Sequence, residues 1–261
     1  MNKPFPIWLA RFVIAVTLAW AGAGSLLRGG ESRELPDDGM PAILLFSKTT
    51  GYRHDSIPDA IAVITQLGAD NGFQVDATED GNAFTDDNLS QYQAVVFLLT
   101  SGTVLDDDQK AAFERFIQAG NGYVGVHSAS DTEYDWAWYG QLLGAYFSSH
   151  PDIQSAEIDV QDFDHPSTYF LPDVWVRTDE WYNFQTNPRD NGVNVLATLE
   201  ESTYSGGQMG DDHPIMWYHE FDGGRSWYTA MGHTSESYAE PLFQQCLLGG
   251  ILYAMGQAPE P

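Results

Sequence analysis

The fold is decided by residues 94–126, which read AVVFLLTSGTVLDDDQKAAFERFIQAGNGYVGV. The stretch opens with a continuous apolar run and closes with a second one, Tyr123–Val126, and such runs are typical of strands covered on both faces. Between them, acidic residues from Asp106 onward open a segment with helical spacing of its apolar residues, which Gly120 ends. Strand, helix and strand in this order predict a βαβ unit and a parallel sheet.

The alternation continues towards the N-terminus. Ala42–Phe46 is another apolar run, Ser56–Gly72 has helical periodicity with Ser56 as its predicted cap, and Phe73–Thr78 reads as a strand. We therefore expect one α/β domain with a mostly parallel central sheet, since no linker is strong enough to divide it.

The second half of the sequence has a different rhythm. Residues 151–194 are rich in Asp, Pro, Thr and aromatic residues, with only short predicted strands such as Ala156–Val160. Two β runs follow, Pro214–Phe221 and Arg225–Met231, joined by the turn sequence Asp222-Gly223-Gly224, which predicts a hairpin. Residues 238–255 are expected to close the domain as a helix.

The charge balance excludes some classes of partner. The sequence has 261 residues, with 11 Lys and Arg against 37 Asp and Glu, a formal charge of -26. Such a surface repels phosphate backbones, so we expect no nucleic-acid partner.

Cys246 is the single cysteine and stands in an apolar run, which is typical of a small buried residue and not of a reactive thiol.

The N-terminus has the pattern of an export signal. Lys3 and Arg11 precede an apolar run, and Ala21-Gly22-Ala23 has the small residues of a cleavage site. We expect a signal peptide over residues 1–23, cleaved after Ala23, a flexible tether over 24–40 and the domain over 41–257. This predicts a periplasmic or extracellular protein, attached to a membrane only if the signal stays uncleaved.

Three loops follow predicted parallel strands, where ligand sites gather because the carboxyl ends of the strands meet at one edge. They contain Thr50–His54, Thr100–Gly102 and His127–Asp131. In Gly125–Ala129 the chain turns sharply out of a strand, so the turn residue, His127 or Ser128, is expected to stand above the sheet. A histidine there can act as an acid or base, or ligate a metal.

Later segments add carboxylates and aromatic rings, a mixture that suits a carbohydrate site. They are Asp179–Asn183, Asp211–Pro214 and Gly232–Thr234. Gly120–Gly125 matches a dinucleotide fingerprint formally, but it lies between a helix and a strand, the reverse of the required order. No nicotinamide or flavin cofactor is therefore expected, and a divalent metal is the one cofactor that the histidines suggest.

Several motifs in order resemble the ThuA-like (trehalose utilisation) family, and they span residues 42–256. They are Gly51–His54 with Ser56-Ile57, Gly125–Asp131, Tyr134–Trp136, Tyr139–Phe147, Asp179–Tyr182, His213–Trp217 and Gly224-Arg225 through Gly232-His233. The resemblance implies a flavodoxin-like, class I glutamine amidotransferase-like three-layer sandwich and a link to sugar metabolism. Amidotransferases of this kind carry a cysteine at the sharp turn, whereas this sequence has His127. A glutaminase mechanism is therefore not expected.

Two functions remain open. The first is an enzyme acting on a sugar or keto-sugar by hydrolysis or proton abstraction, with His127, His54, Glu180 and His233 as catalytic residues. His54, His127 and His233 are then also candidate metal ligands and are predicted to meet over one pocket. The second is a non-catalytic carbohydrate-binding or sensing domain. In either case the expected ligand is a small sugar or derivative, with these binding residues: Tyr52, Arg53, Ser101, Ser128, Asp131, Tyr134, Trp181, Tyr182 and His213.

Overall fold

The computed structural model describes residues 39–257. The predicted signal peptide and the predicted tether up to residue 38 lie outside the described residues. The helices are α1 (Ile57–Asn71), α2 (Asp86–Leu89), α3 (Asp107–Gln118), α4 (Ala137–Leu143), α5 (Ser235–Ala239) and α6 (Pro241–Ala254). The strands are β1 (Ala42–Phe46), β2 (Gln74–Thr78), β3 (Ala94–Leu98), β4 (Gly122–Val126), β5 (Phe147–Ser149), β6 (Gln154–Val160), β7 (Val174–Asp179), β8 (Asn183–Phe184), β9 (Asn194–Leu199), β10 (Pro214–Phe221) and β11 (Gly224–Thr229).

Nine of the strands form one mixed sheet, in the order β2-β1-β3-β4-β11-β10-β9-β6-β7. The strands from β2 to β11 run parallel to their neighbours, and the sheet continues from β11 to β7 by antiparallel pairs. Strands β5 and β8 pair separately. The predicted α/β class with a parallel centre is confirmed.

The quoted stretch folds as its pattern predicts. Every residue of β3 and β4 is buried, because helices cover both faces of the parallel strands. Helix α3 begins with a capping box, in which the Asp106 side chain accepts from Gln109 N and the Gln109 side chain accepts from Asp106 N.

Ser56 differs from its prediction, since it makes no capping hydrogen bond for α1. Its hydroxyl donates instead to the His233 carbonyl at 2.7 Å.

The C-terminal half is more regular than its composition suggests. Strands β6, β7 and β9 extend the sheet through a region where only short strands are predicted. The hairpin between β10 and β11 is confirmed. Its two turn residues, Asp222 and Gly223, have positive φ angles of 49° and 94°, as a type I′ turn requires. The single helix predicted over 238–255 is two helices, because Pro241 disfavours helical conformation at the residue before it.

The carboxyl ends of the parallel strands β1, β3, β4 and β11 lie at one edge of the sheet. The loops that leave this edge therefore approach one another.

Across residues 39–257, none of the helices combines the length and the hydropathy that a membrane span needs.

Candidate functional site

Four side chains from four different loops converge above this edge. His54 comes from the loop after β1, His127 follows β4 directly, Glu180 follows β7, and His233 comes from the loop after β11. Each offers one ligand atom, and these atoms all lie within 4.8 Å of one another. We call these four residues the histidine cluster. The prediction that His54, His127 and His233 meet at one place is confirmed.

His127 is the residue of the sharp turn. Its φ of 51° lies in the left-handed region, which histidine enters more readily than most residues but still at a cost. The Tyr228 hydroxyl donates to the His127 carbonyl at 2.8 Å and holds this turn. The ring donates from Nδ1 to the Ala230 carbonyl at 2.6 Å, which directs Nε2 into the cluster. An imidazole oriented in this way by a backbone carbonyl is the usual arrangement of a metal ligand.

The loop that carries His54 is tied to its neighbours. The amides of Thr50 and Gly51 donate to the Ser101 carbonyl at 2.8 and 3.2 Å, and the Ser101 hydroxyl donates to the Tyr52 carbonyl at 2.6 Å. His54 is 4% exposed, and its Nδ1 lies 3.4 Å from the Ser128 hydroxyl. The loop is thus positioned by the loop after β3 before any ligand binds.

Asp179 connects two members of the cluster. This carboxylate is fully buried and accepts from the amides of Glu180 and His233 at 2.9 and 3.0 Å. It also accepts from Gly232 N at 2.9 Å, and Arg177 Nη2 lies 3.2 Å away. One buried carboxylate therefore fixes the backbone of two cluster residues that are more than fifty positions apart in the sequence.

The spacing inside the cluster is that of a coordination sphere. Glu180 Oε2 lies 3.3 Å from His127 Nε2 and 3.0 Å from His233 Nδ1, and the two nitrogens are 3.2 Å apart. A tetrahedral ion with metal–nitrogen bonds of about 2.05 Å separates its ligand atoms by about 3.3 Å. The cluster therefore fits a metal ion without rearrangement of these three groups.

The electrostatics of the cluster favour cation binding. Burial lowers the pKa of His54 to about 2, and the neighbouring rings of His127 and His233 add to this effect, so the His54 ring is neutral near pH 7. Burial alone would raise the pKa of Glu180, but the adjacent rings of His127 and His233 lower it on balance, which favours the ionised carboxylate. A neutral imidazole and an ionised carboxylate are the forms that bind metals.

A cavity of about 250 Å³ opens above the cluster. His54, Glu180 and His233 form part of its wall, and the remaining lining residues are Tyr52, Asp131, Phe147, His150 and Tyr182. His127 lies beneath, with its ring centroid 4.0 Å from that of Tyr182. A ligand in the cavity would therefore touch three of the four cluster residues.

Three of the predicted binding residues line this cavity, and a fourth forms a hydrogen bond with one of them. Tyr52, Asp131 and Tyr182 form its walls. The Tyr134 hydroxyl donates to Asp131 Oδ1 at 2.7 Å and so orients this carboxylate. Burial raises the pKa of Asp131 despite this bond.

The other five predicted binding residues, like Tyr134, lie outside the cavity lining. Arg53 points away and pairs with Glu79 at 2.7 Å, and Ser101 is used in the loop bond described above. Ser128 is buried beneath His54. Trp181 has no exposed surface, because its indole packs inward and donates to the Gln154 carbonyl at 2.8 Å. Ser101, Ser128 and Trp181 therefore contact the protein around the site and not the cavity.

His213 is the fifth of these residues. It is fully buried, and its Nε2 donates to the Tyr182 carbonyl at 2.8 Å. It therefore holds the backbone of a cavity residue and does not face the cavity itself. The aspartate and histidine of residues 211–214 suggested a ligand contact in the sequence, but the side chain is turned into the protein.

Two lining residues were not predicted from the sequence. His150 is 43% exposed at its side chain, and its Nδ1 lies 3.0 Å from Glu180 Oε1. The Phe147 ring packs at 4.3 Å from that of Tyr182. Phe147 is the first residue of β5 and His150 directly follows that strand, so the position of β5 in the fold brings both of them to the cavity.

The chemistry of a glutaminase is absent from the described residues. The turn position holds His127, and Cys246 is fully buried in α6, where burial raises the pKa of its thiol. Two further histidines have structural contacts. His219 donates to the Leu142 carbonyl at 2.8 Å, and His165 is buried beside Ser167.

Comparisons with known proteins agree with this architecture. The family described as ThuA, trehalose utilisation, matches residues 42–254. The solved structures of putative ThuA-like proteins from Bacteroides uniformis and Parabacteroides merdae are similar, with TM-scores of 0.71 for both and identities of 23% and 20%. The first comparison covers 86% of this chain and 95% of the other, and the second covers 85% and 93%.

More distant likeness concerns the fold alone. A β-galactosidase from Bacillus circulans sp. alkalophilus aligns with a TM-score of 0.52 and 14% identity, over 84% of this chain and 32% of the enzyme. A search of the curated proteins found no match to this sequence.

Proposed function

The chain belongs to the ThuA family, described by trehalose utilisation, and on that premise we propose that it is a metal-dependent enzyme acting on a sugar or keto-sugar. The family match covers residues 42–254, which is nearly the whole described domain. The reaction that we propose is proton abstraction next to a carbonyl, or hydrolysis. From the sequence of residues 1–23 alone, we also propose that it takes place in the periplasm or outside the cell.

The observation that carries this proposal is the spacing of the histidine cluster. Three ligand atoms, from His127, Glu180 and His233, lie 3.0–3.3 Å from one another, and His54 adds a fourth within reach. Imidazole with one carboxylate suits Zn²⁺ and other first-row transition metals better than Mg²⁺ or Ca²⁺. When bound, such an ion would polarise a carbonyl, which assists proton abstraction, or lower the pKa of a bound water, which assists hydrolysis.

The cavity lining favours an uncharged ligand. Among the described residues that line it there is neither Lys nor Arg, and two carboxylates, Asp131 and Glu180, are present. These two carboxylates can offset the charge of a divalent ion. The rings of Tyr52, Phe147 and Tyr182 can stack on a sugar, and Asp131 can accept from its hydroxyls. A phosphorylated sugar would find neither Lys nor Arg among these described lining residues.

The test combines metal analysis with turnover. Purified mature protein is analysed for bound metal and then assayed with a panel of neutral sugars and keto-sugars, beside His127→Ala and the matched control His219→Gln. We expect about one transition-metal ion per chain in the wild type and the control, because both keep all four ligands. The His127→Ala variant should lose both the ion and turnover.

The outcomes separate the two functions that the sequence left open. A metal content that is unchanged in His127→Ala would contradict the proposed metal site. Metal and sugar binding without turnover of any panel member would favour a carbohydrate-binding or sensing domain instead.

A further inference from the structure

A second depression lies next to the cavity, on the far side of His150. It is an open groove of about 540 Å³, lined by His150, Pro151, Asp152, Gln154, Ser205 and Gly206. His150 is the residue that the groove and the cavity share. The two spaces are therefore neighbours that meet at this residue.

The groove has fixed walls. The Gln154 side chain joins them, because its Oε1 accepts from Ser205 N at 2.9 Å and its Nε2 donates to the Ser205 carbonyl at 2.9 Å. Asn183 Nδ2 donates to the Gly206 carbonyl at 3.2 Å and adds a further connection. The shape of the groove is thus set by side-chain bonds between two segments about fifty residues apart in the sequence.

The groove also presents polar groups that have no hydrogen-bond partner among the described residues. Within residues 39–257, His150 Nε2, the Asp152 carboxylate and the Ser205 hydroxyl make no hydrogen bond. Asp152 and Ser205 are exposed, and none of the described lining residues is Lys or Arg. These groups suit the hydroxyls of an uncharged sugar and do not suit a phosphate or an apolar chain.

The size of the cavity suggests why a second space is needed. At about 250 Å³, the cavity is smaller than a typical pocket for a drug-sized ligand, which begins at about 300 Å³. One sugar ring is the ligand that it can enclose. A larger sugar would have to extend past His150, and the groove is the polar space that begins there.

We propose that the site takes an uncharged glycoside, with its terminal sugar ring in the cavity and the next unit in the groove beyond His150. This inference rests on the proposed function, and it names the substrate class of the same site. His150 then contacts both units and lies beside the linkage between them.

The experiment measures saccharide binding by calorimetry to the metal-loaded protein. The probes are neutral disaccharides, each compared with the monosaccharides that it contains. The variant Ser205→Trp fills the groove from an exposed position without touching the cavity, and Ser202→Trp, at an exposed serine outside both linings, is its matched control. Two or three hydrogen bonds in the groove should make a disaccharide bind at least about tenfold tighter than its monosaccharides.

Ser205→Trp should abolish this difference, whereas monosaccharide affinity and metal content stay at the wild-type level. The inference is wrong if disaccharides and monosaccharides bind equally, or if Ser205→Trp leaves disaccharide affinity unchanged while metal is bound. A protein that loads metal but binds no saccharide of the panel would contradict the proposed function itself.

Discussion

At the scale of single residues, His127 shows how the site is built. Its left-handed backbone aims the side chain above the sheet, and the bond from Nδ1 to the Ala230 carbonyl decides which nitrogen faces the cluster. A cysteine at such a turn would be a nucleophile, whereas an imidazole held in this way is a ligand or a base. The identity of one side chain therefore changes the chemistry available to the fold.

Asp179 is expected to control metal affinity without touching the metal. In Asp179→Asn, Oδ1 can still accept from the amides of Glu180 and His233. The amide nitrogen that replaces Oδ2 instead faces the Gly232 amide and the Arg177 guanidinium, both of which are donors, so the loop that carries His233 loses support. Loss of an outer-shell partner typically costs about 10–100-fold in metal affinity. Competition with a chelator measures this change.

The matched control is Asp173→Asn, an exposed carboxylate six residues earlier in the chain. It should bind metal like the wild type. Equal affinity of the Asp179→Asn protein, with unchanged folding, would contradict a positioning role for Asp179.

His165 is expected to make stability depend on pH. Burial lowers its pKa to about 4, and its Nε2 is buried without a hydrogen-bond partner among the described residues. The unfolded chain takes up this proton below about pH 6.5, while the folded protein resists it until about pH 4. As the pH is lowered from about 6.5 to about 4, the free energy of unfolding should therefore fall by up to about 1.4 kcal/mol per pH unit through this residue.

Urea unfolding of the wild type and His165→Gln at several pH values measures this contribution. The variant should have a shallower pH dependence in that interval, because it lacks the titrating group. Parallel curves for the two proteins would show that His165 does not titrate differently in the folded and unfolded states.

At the scale of elements, the loop after β3 depends on a buried carboxylate at the end of the turn after β4. Glu133 Oε1 accepts from the amides of Val104 and Leu105 at 2.7 and 2.9 Å, and Oε2 lies 2.6 Å from Lys110 Nζ. The side chain of Glu133 is 1% exposed. This residue therefore joins the start of α3 to the segment that follows His127.

Glu133→Ala is expected to lower the free energy of unfolding by about 3–5 kcal/mol, because it leaves Lys110 and two amides without their buried partner. The control is Glu79→Ala, which removes the surface partner of Arg53, where both side chains are about half exposed. Such surface pairs contribute at most about 1 kcal/mol. Urea denaturation compares the two variants, and equal effects would contradict the assigned role.

At the scale of the whole molecule, the formal charge of -26 opposes compactness. Repulsion among exposed carboxylates is weakened by salt, since the Debye length falls from about 30 Å at 0.01 M to about 8 Å at 0.15 M ionic strength. The Tm should therefore rise with NaCl over this range. Calorimetry measures it, and the rise should be smaller near pH 4, where many carboxylates are protonated.

The two halves of the sheet differed in how far the sequence predicted them. Strands β1, β3 and β4 are continuous apolar runs, because both faces are buried, and such runs are easily recognised. Strand β7 alternates between buried and exposed residues and exposes two valines on one face. Its pattern is short and lies among loops rich in polar residues, so the antiparallel extension of the sheet was predicted only in part.

The sequence alone determined the βαβ framework, the turn at His127 and the loop positions of His54 and His233, because each follows from local periodicity. Only the tertiary structure decided that the Glu180 carboxylate comes within ligand distance of His127 and His233, that His150 lines both the cavity and the groove, and that Trp181 and His213 face inward. Those outcomes depend on the order of strands in the sheet and on which face of a loop is buried. Contacts between residues so far apart in the chain are fixed by packing, and no local pattern encodes them.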